Sequence, residues 1–516
     1  MPRSTGQDAA VPAAQPATSR FNSVLRATSL LTASWFVTLV VGLVSSKVLA
    51  VFLEPSGFGY YGLLQSFVEL VGMIAGLGIG VGFVRIGAAR VAANDQNALA
   101  ALRQGAWLVL AVTGAATLVV LTAFRASLGR FFLGNAAHGW AVVLMVAAVL
   151  FSVASYIQTN TLNAYHRVKA LAQSGIWAKV LAAAFAITLV AIGGARAIVP
   201  AVIMTAVGAW LASRQFLRKE VGPIKARVPL RDAWAGARSL LGIGVPYIGS
   251  VALSKGAMLM LPVLVVHMLD TASVGYYRAA ATVAVTYLGF LVTAMGQDYF
   301  PRVSSVSARP DLLRTLINEQ HRLILLLAVP VIFGMMALLP YLIPLVYSPK
   351  FQPAVGLLEW QLIGDIFRLS SWTMSIVIVA RCSGKVLLFT EGLLGTSILG
   401  ASWLGLHFYG LDGIGVAFLV SNAAYFFAVW LVVRKEIGLV WDPANKGAMA
   451  AAIAGALLVC LLGYFGMASW RTPVGLAFAA AAAAWSLPRL WSEVRNTEAA
   501  CRARGLVLWA TGRGRV

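Results

Sequence analysis

The sequence is short of charge, and above all of negative charge: 11% of its 516 residues are Asp, Glu, Lys or Arg, and the acids number 18 against 40 Lys and Arg. So little charge cannot coat a water-soluble domain. Cysteine is nearly absent too, and Cys382, Cys460 and Cys501 are too far apart for a disulfide framework, a zinc site or a redox pair. No glycine loop of the phosphate-cradling kind and no metal-ligand cluster appears, which argues against an ATPase. Alternating strands are missing, which argues against an outer-membrane barrel. The opening stretch "MPRSTGQDAAVPAAQPATSR" has no short apolar run with a cleavage site, so no removable signal peptide is read there. Its Ala, Pro and Ser content predicts disorder.

What the chain does have is oil. Hydrophobic residues make up 60% and mean hydropathy is +0.83, the composition of a protein that lives in a bilayer. A hydrocarbon core about 30 Å thick takes about 20 helical residues to cross. Apolar runs of that length fall near 28–52, 60–83, 104–124, 138–159, 173–192 and 197–217, then near 240–266, 275–297, 323–346, 357–380, 386–406 and 413–433, with two more near 447–467 and 473–488. The expected fold is an all-α polytopic membrane protein of about 14 helices. Trp485–Pro488 cuts the last run short.

The net charge of +22 would suggest nucleic acid in a soluble protein; here it follows topology. Almost all Lys and Arg outside the runs lie in the two tails and the even-numbered gaps, leaving Arg125, Arg130, Arg196, Lys350 and Arg471 in the odd ones. Both termini are therefore expected in the cytoplasm. The most basic connection, 214–238, sits between runs six and seven, so run seven starts from the same side as run one. "LEPSGFGYYG" at 53–62 then becomes the outer turn between runs one and two, and "LDTASVGYYR" at 269–278 its counterpart between runs seven and eight. This predicts two parallel six-helix bundles related by a pseudo-twofold along the membrane normal. The expected segments are a disordered tail 1–27, bundles 28–217 and 240–434 joined by a basic linker 218–239, two additional helices in 447–488, and a basic tail 489–516.

Charges inside the runs need a reason, because each costs at least ~2.5 kcal/mol near the bilayer centre and so tends to face a watery cavity or a partner. The candidates are Lys47, Glu69, Lys255, Arg278, Asp365 and Arg368. Asp365 and Arg368 are three apart on one helix face, ~12–17 Å deep, and either neutralise one another or serve function. Lys47 and Lys255 have no partner at helical spacing and read as cavity-facing. Arg278 either snorkels or faces the cavity. Lys179, placed near a span end, reads as snorkelling. Glu69 pairs with a lysine or carries a coupling proton. Glycines repeat in "GMIAGLGIGVG" at 72–82, a pattern for close helix packing or a bendable helix. An excess of embedded cations suits an anionic substrate.

The stretches "KVLAVFLEPSGFGYYG" at 47–62, "YFPRVS" at 299–304, "KFQPAVGLLEWQLIGDIFR" at 350–368 and "GLDGIGVAFLVSNAAYFF" at 410–427 resemble the Wzx-type flippases of lipid-linked oligosaccharides, including those for O-antigen and enterobacterial common antigen, within the MOP exporter superfamily. The resemblance covers residues 26 to about 435. It implies an inner-membrane transporter that moves an undecaprenyl-diphosphate-linked glycan to the periplasmic leaflet by alternating access around a cationic cavity, with Lys47 as a substrate-binding residue and Asp365 and Arg368 as motif positions; burial logic alone adds Lys255 and Arg278, so the expected substrate-binding cations are Lys47, Lys255, Arg278 and Arg368. It implies no cofactor and no nucleic acid. A proton or sodium gradient, with Glu69 or Asp365 as carrier, and a polysaccharide polymerase with its chain-length machinery are the expected coupling and partners. The fourteen-run count also fits the lipid II flippases, which remain an alternative. A multidrug or metabolite exporter would favour acidic cavity residues, and a membrane glycosyltransferase or polymerase would favour carboxylates in a sizeable outer loop; 125–137 holds none.

Overall fold

The computed structural model describes residues 17–222, 228–465 and 468–510, and among them the chain is helical with no strand. In chain order the helices are α1 (Ala17–Gly76), α2 (Ile79–Ala92), α3 (Gln96–Ala123), α4 (Arg125–Leu133), α5 (Gly139–Ala164), α6 (Val168–Gly193), α7 (Ile198–Glu220) and α8 (Leu230–Met268). They continue as α9 (Thr271–Ala281), α10 (Leu288–Ser305), α11 (Pro310–Val346), α12 (Ala354–Arg381), α13 (Gly384–Tyr409), α14 (Asp412–Ile437), α15 (Pro443–Tyr464) and α16 (Ala468–Ala510). A π-type segment, Thr282–Tyr287, joins α9 to α10.

Ten helical intervals among the described residues are long and apolar enough to cross a membrane, or eleven if a bent pair in α8 counts as one span. Two of the ten hold more than one rod. Phe36–Gly76 is broken at Glu54, whose backbone takes φ 57 and ψ 178 just before Pro55. Val168–Glu220 contains both α6 and α7. In α8 the parts Leu230–Gly249 and Ala252–Met268 meet at 63°.

Several ends differ from the sequence reading. The tail expected to be disordered through residue 27 is helical from Ala17; residues 1–16 lie outside the described residues. The linker 218–239 is largely the end of α7 and the start of α8, with 223–227 outside the described residues. Pro488 does not stop the last helix: α16 carries both Pro473 and Pro488 and runs on to Ala510, so much of the expected basic tail continues it.

Two seams join the first seven helices to those that follow. At one end, which carries residues 53–62 and is called here the turn end, the two copies of the repeated turn lie against each other. A Cβ on Gly59 would sit 1.9 Å from the Thr271 carbonyl oxygen, and one on Gly275 would sit 2.1 Å from that of Pro55. Pro55 and Thr271, like Gly59 and Gly275, are 216 residues apart, so each contact is the image of the other under exchange of the copies. Only glycine permits so close a backbone approach. Around it, Phe58 packs edge-on against Tyr347 and Phe351 at 5.9 and 5.7 Å between centroids, and Tyr276 meets Phe351 at 6.0 Å. At the opposite end α2 and α3 close on α8. Gly78 is in contact with Gly244, Gly82 with Leu240, and Gly105 with Ala233 and Gly236. The glycine run 72–82 thus serves close packing, and it also breaks the rod: Leu77 and Gly78 have φ of 43 and 66 and separate α1 from α2.

Candidate functional site

Behind the turn end, α1, α6, α7 and α9 enclose a polar cavity of about 270 Å³ that shares the walls Thr38, Gln65, Lys179 and Thr205 with an adjoining one of about 310 Å³. Hydroxyl-bearing side chains such as Ser45, Ser46 and Thr282 line the first, and Glu69 lines the second. Lys179 and Arg278 are the cations of these walls and Glu69 is the carboxylate, which leaves a formal excess of one positive charge.

Arg278 reaches the cavity by crossing the seam. Its Nη1 donates to the Gly62 carbonyl at 3.2 Å and its Nη2 donates to Gln65 Oε1; Gln65 Nε2 in turn donates to Tyr61 Oη at 2.9 Å. A Cβ on Gly62 would fall 2.6 Å from Arg278 Cδ, so the missing side chain at 62 makes room for the arginine at the corresponding position of the other copy. These partners are neutral. They aim the guanidinium without cancelling its charge, which stays available to an anion in the cavity.

Lys179 stands eleven residues into α6, beside Gly42 of α1, where a Cβ would lie 3.4 Å from its Cε. Among the described residues it forms no ion pair, and its side chain is open to the cavity. The sequence reading had Lys179 snorkelling; the structure places it on the cavity wall. That reading started the span at 173, whereas the helix begins at Val168, so Lys179 stands near the middle of α6.

The other expected site residues do not join this cluster. Lys47, half-buried late in the first rod, donates its Nζ to the Leu345 carbonyl of α11 and so ties the halves together near the turn end. Lys255 is exposed on α8 beyond the bend and lines neither cavity. Arg368 bonds Asp365 Oδ1 through Nε and the Ala284 carbonyl through Nη2 at 3.3 Å. Asp365 is fully buried, so the pair is an internal, charge-neutral clasp between α12 and the π-type segment. Of the four expected cations the structure places Arg278 on the polar cavity, together with Lys179, and places Lys47, Lys255 and Arg368 elsewhere.

A second clasp was not singled out from the sequence. Glu359 of α12 and Arg471 of α16 form an ion pair with both side chains about 8% exposed, and Arg471 Nη2 also donates to the Met336 carbonyl at 3.3 Å. It pins the last two helices to the bundle. The signal was present as an acid at the start of one apolar run and a base in the gap before another, but nothing local pairs residues so far apart. At the turn end Lys350 and Glu54 form an exposed ion pair across the seam. No group of His, Cys, Asp and Glu among the described residues is arranged to hold a metal ion.

A helical rod assembly with an inter-half seam at each end and a polar cavity between defines a fold class that solved membrane transporters share. The lipid II flippase MurJ in its inward closed conformation matches with a TM-score of 0.68 over 89% of this chain and 99% of its own, at 12% identity. An inward-facing multidrug resistance MATE family transporter matches at 0.60 over 80% and 96%, at 16% identity. Within that class, the family model "Polysaccharide biosynthesis protein" matches residues 48–356, and the chain belongs to that family. The lipid III flippases of Escherichia coli (strain K12) and Shigella flexneri are each 24% identical over 427 residues, 80% of this chain and 100% of theirs.

Proposed function

We propose that this multi-pass membrane protein is a flippase that carries a polyprenyl-diphosphate-linked oligosaccharide from the cytoplasmic to the outer leaflet, without catalysing a chemical step. The carrying observation is the polar cavity lined both by Arg278, held by neutral partners, and by Lys179, which forms no ion pair among the described residues, in a chain aligned along the whole length of lipid III flippases. The diphosphate would sit between the two cations, the glycan in the hydroxyl-lined space, and the polyprenyl tail in lipid. The turn end faces outward, with both termini cytoplasmic. The seams at the two ends would open alternately, the bend in α8 taking up the motion.

Glu69 is the preferred carrier of a coupling proton or sodium ion, because it lines the cavity while Asp365 is committed to Arg368. Transport in vesicles by Glu69→Gln would then no longer respond to an imposed gradient.

The deciding experiment measures transfer of a polyprenyl-diphosphate glycan between leaflets of reconstituted vesicles. A hydrogen bond to a charged group is worth roughly 1.5–3 kcal/mol, so Arg278→Ala and Lys179→Ala should each slow transfer about ten- to a hundred-fold at unchanged protein abundance. Lys47→Ala and Lys255→Ala should slow it less. Wild-type rates in both cavity variants would remove the reading.

A further inference from the structure

Past the break at Glu54, one face of α1 runs from the turn end into the polar cavity. Phe58, Tyr61, Gln65 and Glu69 follow one another at helical spacing and stack on successive turns of that face. Phe58 belongs to two layers: it packs edge-on against Tyr347 and Phe351 in the seam, and it lines the cavity below. Gln65 stands on the wall that the two cavities share. From the other half α9 brings Arg278, one turn past Gly275. The Arg278 carbonyl accepts from Thr282 Oγ1 at 2.8 Å, and the Ala279 carbonyl accepts from Tyr347 Oη at 3.2 Å.

The Gln65 amide has one usable orientation. A guanidinium only donates, so it requires Oε1, and the amino group is left to donate to Tyr61 Oη at 2.9 Å. The side chain at 65 also sets the charge of the site. A glutamate of the same shape would grip Arg278 more firmly, but it would bring the formal excess of one positive charge on these walls to zero. A leucine would not hold the arginine at all.

Arg278 thus has two claims on its donors. With the turn-end seam closed they go to Gly62 and Gln65 of the opposite half. An anion in the cavity would take the same fork, and a phosphate outcompetes a neutral carbonyl because both partners are then charged and the contact is bidentate. A ligand shifts an equilibrium only by its differential affinity for the two states. Parting the halves at the turn end frees donors that the closed seam occupies, so an anion at Arg278 binds the parted state more tightly.

We propose that Gln65 is the positioning residue of a substrate-released latch. It ties Arg278 across the turn-end seam while the cavity is empty, leaves the charge uncancelled by being neutral itself, and yields the arginine to a diphosphate, so that the seam parts over a loaded cavity. This rests on the reading of the cavity as a polyprenyl-diphosphate site. The glycine contacts of the seam are backbone on backbone, and Glu54 and Lys350 meet at its exposed rim; none of these groups lines the cavity.

The test uses the full-length protein in phosphatidylcholine nanodiscs, with its native cysteines replaced by alanine and spin labels at Ser56→Cys and Gln352→Cys, exposed positions on the two sides of the seam. Pulsed electron paramagnetic resonance reads the distance between the labels, and native mass spectrometry of the same samples reads lipid binding. Undecaprenyl diphosphate should raise the population of long distances about threefold or more, and undecaprenol should not. Gln65→Glu should keep the seam closed in the presence of the diphosphate and weaken its binding about tenfold. Gln65→Leu should part the seam with no lipid present, and Tyr61→Phe, a milder change that removes the partner of Gln65 Nε2, should do so in part. A merely structural glutamine would shift the seam in the same direction in both replacements at 65, and that result overturns the latch. Binding of the diphosphate by the wild type at unchanged label distance also overturns it, and leaves the function proposed above standing. Binding of undecaprenyl diphosphate no tighter than that of undecaprenol removes both.

Discussion

The two copies of the repeated turn, 53–62 and 269–278, are packed as mirror partners yet do different work. Their glycines are equivalent: Gly59 meets Thr271, Gly275 meets Pro55, and both contacts are backbone on backbone. Their acids are not. Asp270 takes an extended backbone and its Oδ1 accepts from Ser273 N at 2.7 Å, an N-cap that starts α9 after a true break. Glu54 has φ 57, a region in which a long side chain is strained, and it reaches Lys350 across the seam instead. Their last positions differ most, Gly62 in one copy and Arg278 in the other, and the arginine occupies the space the glycine leaves. A symmetric scaffold thus carries an asymmetric charge. The lesson is that a repeat conserves packing where two backbones must touch and is free to diverge wherever a side chain faces a cavity or solvent.

The largest effect should come from breaking what the copies share. Gly59→Ala and Gly275→Ala each place a methyl group inside a facing carbonyl, and overpacking against backbone should cost at or beyond the ~1–3 kcal/mol typical of core insertions. Loss of folded, monodisperse protein in both variants is the expected result. Normal yield from one and collapse of the other would show that the contacts are not reciprocal.

Breaking what they do not share should spare the fold. Arg278→Lys keeps the charge but loses the fork that holds Gly62 and Gln65 together, so transport should fall several-fold with the melting temperature within a few degrees of wild type. Gly62→Ala should reproduce part of that loss by pushing the Arg278 side chain aside. At the acids, Asp270→Ala should lower stability by about 1 kcal/mol for the lost cap, measured by thermal unfolding. Glu54→Ala should change stability less, because an exposed ion pair is worth about 0–1 kcal/mol. Lys350→Ala isolates the pair alone and should have the smallest effect of the series.

Much of the architecture was legible because it is written in long apolar runs and in one exact spacing. The rods and the two corresponding turns, 53–62 and 269–278, follow from hydrophobic length and the 216-residue offset; that the two turns touch came from the structure. Rod ends were less legible: α16 passes through Pro488, and α6 starts a turn earlier than its apolar run. The cavity was legible only in part. Arg278 was a candidate from its place inside an apolar run, and Asp365 with Arg368 from their i,i+3 spacing, but the cavity position of Lys179, and the pairing of Glu359 with Arg471, required knowledge of which helices touch.

Composition and periodicity by themselves determined that this chain is a bundle of membrane-length helices with an internal repeat, since burial in oil acts on every residue of a run and leaves a mark at each one. Which embedded charge confronts which was decided only by tertiary structure. Successive residues on a helix turn by about 100°, so a shift of one or two positions, or a small rotation between packed rods, separates a cation that meets a carboxylate from one that faces open space. Arg368 and Arg278 are the two outcomes of that geometry, one neutralised by Asp365 and one held out for an anion by a backbone carbonyl and an amide.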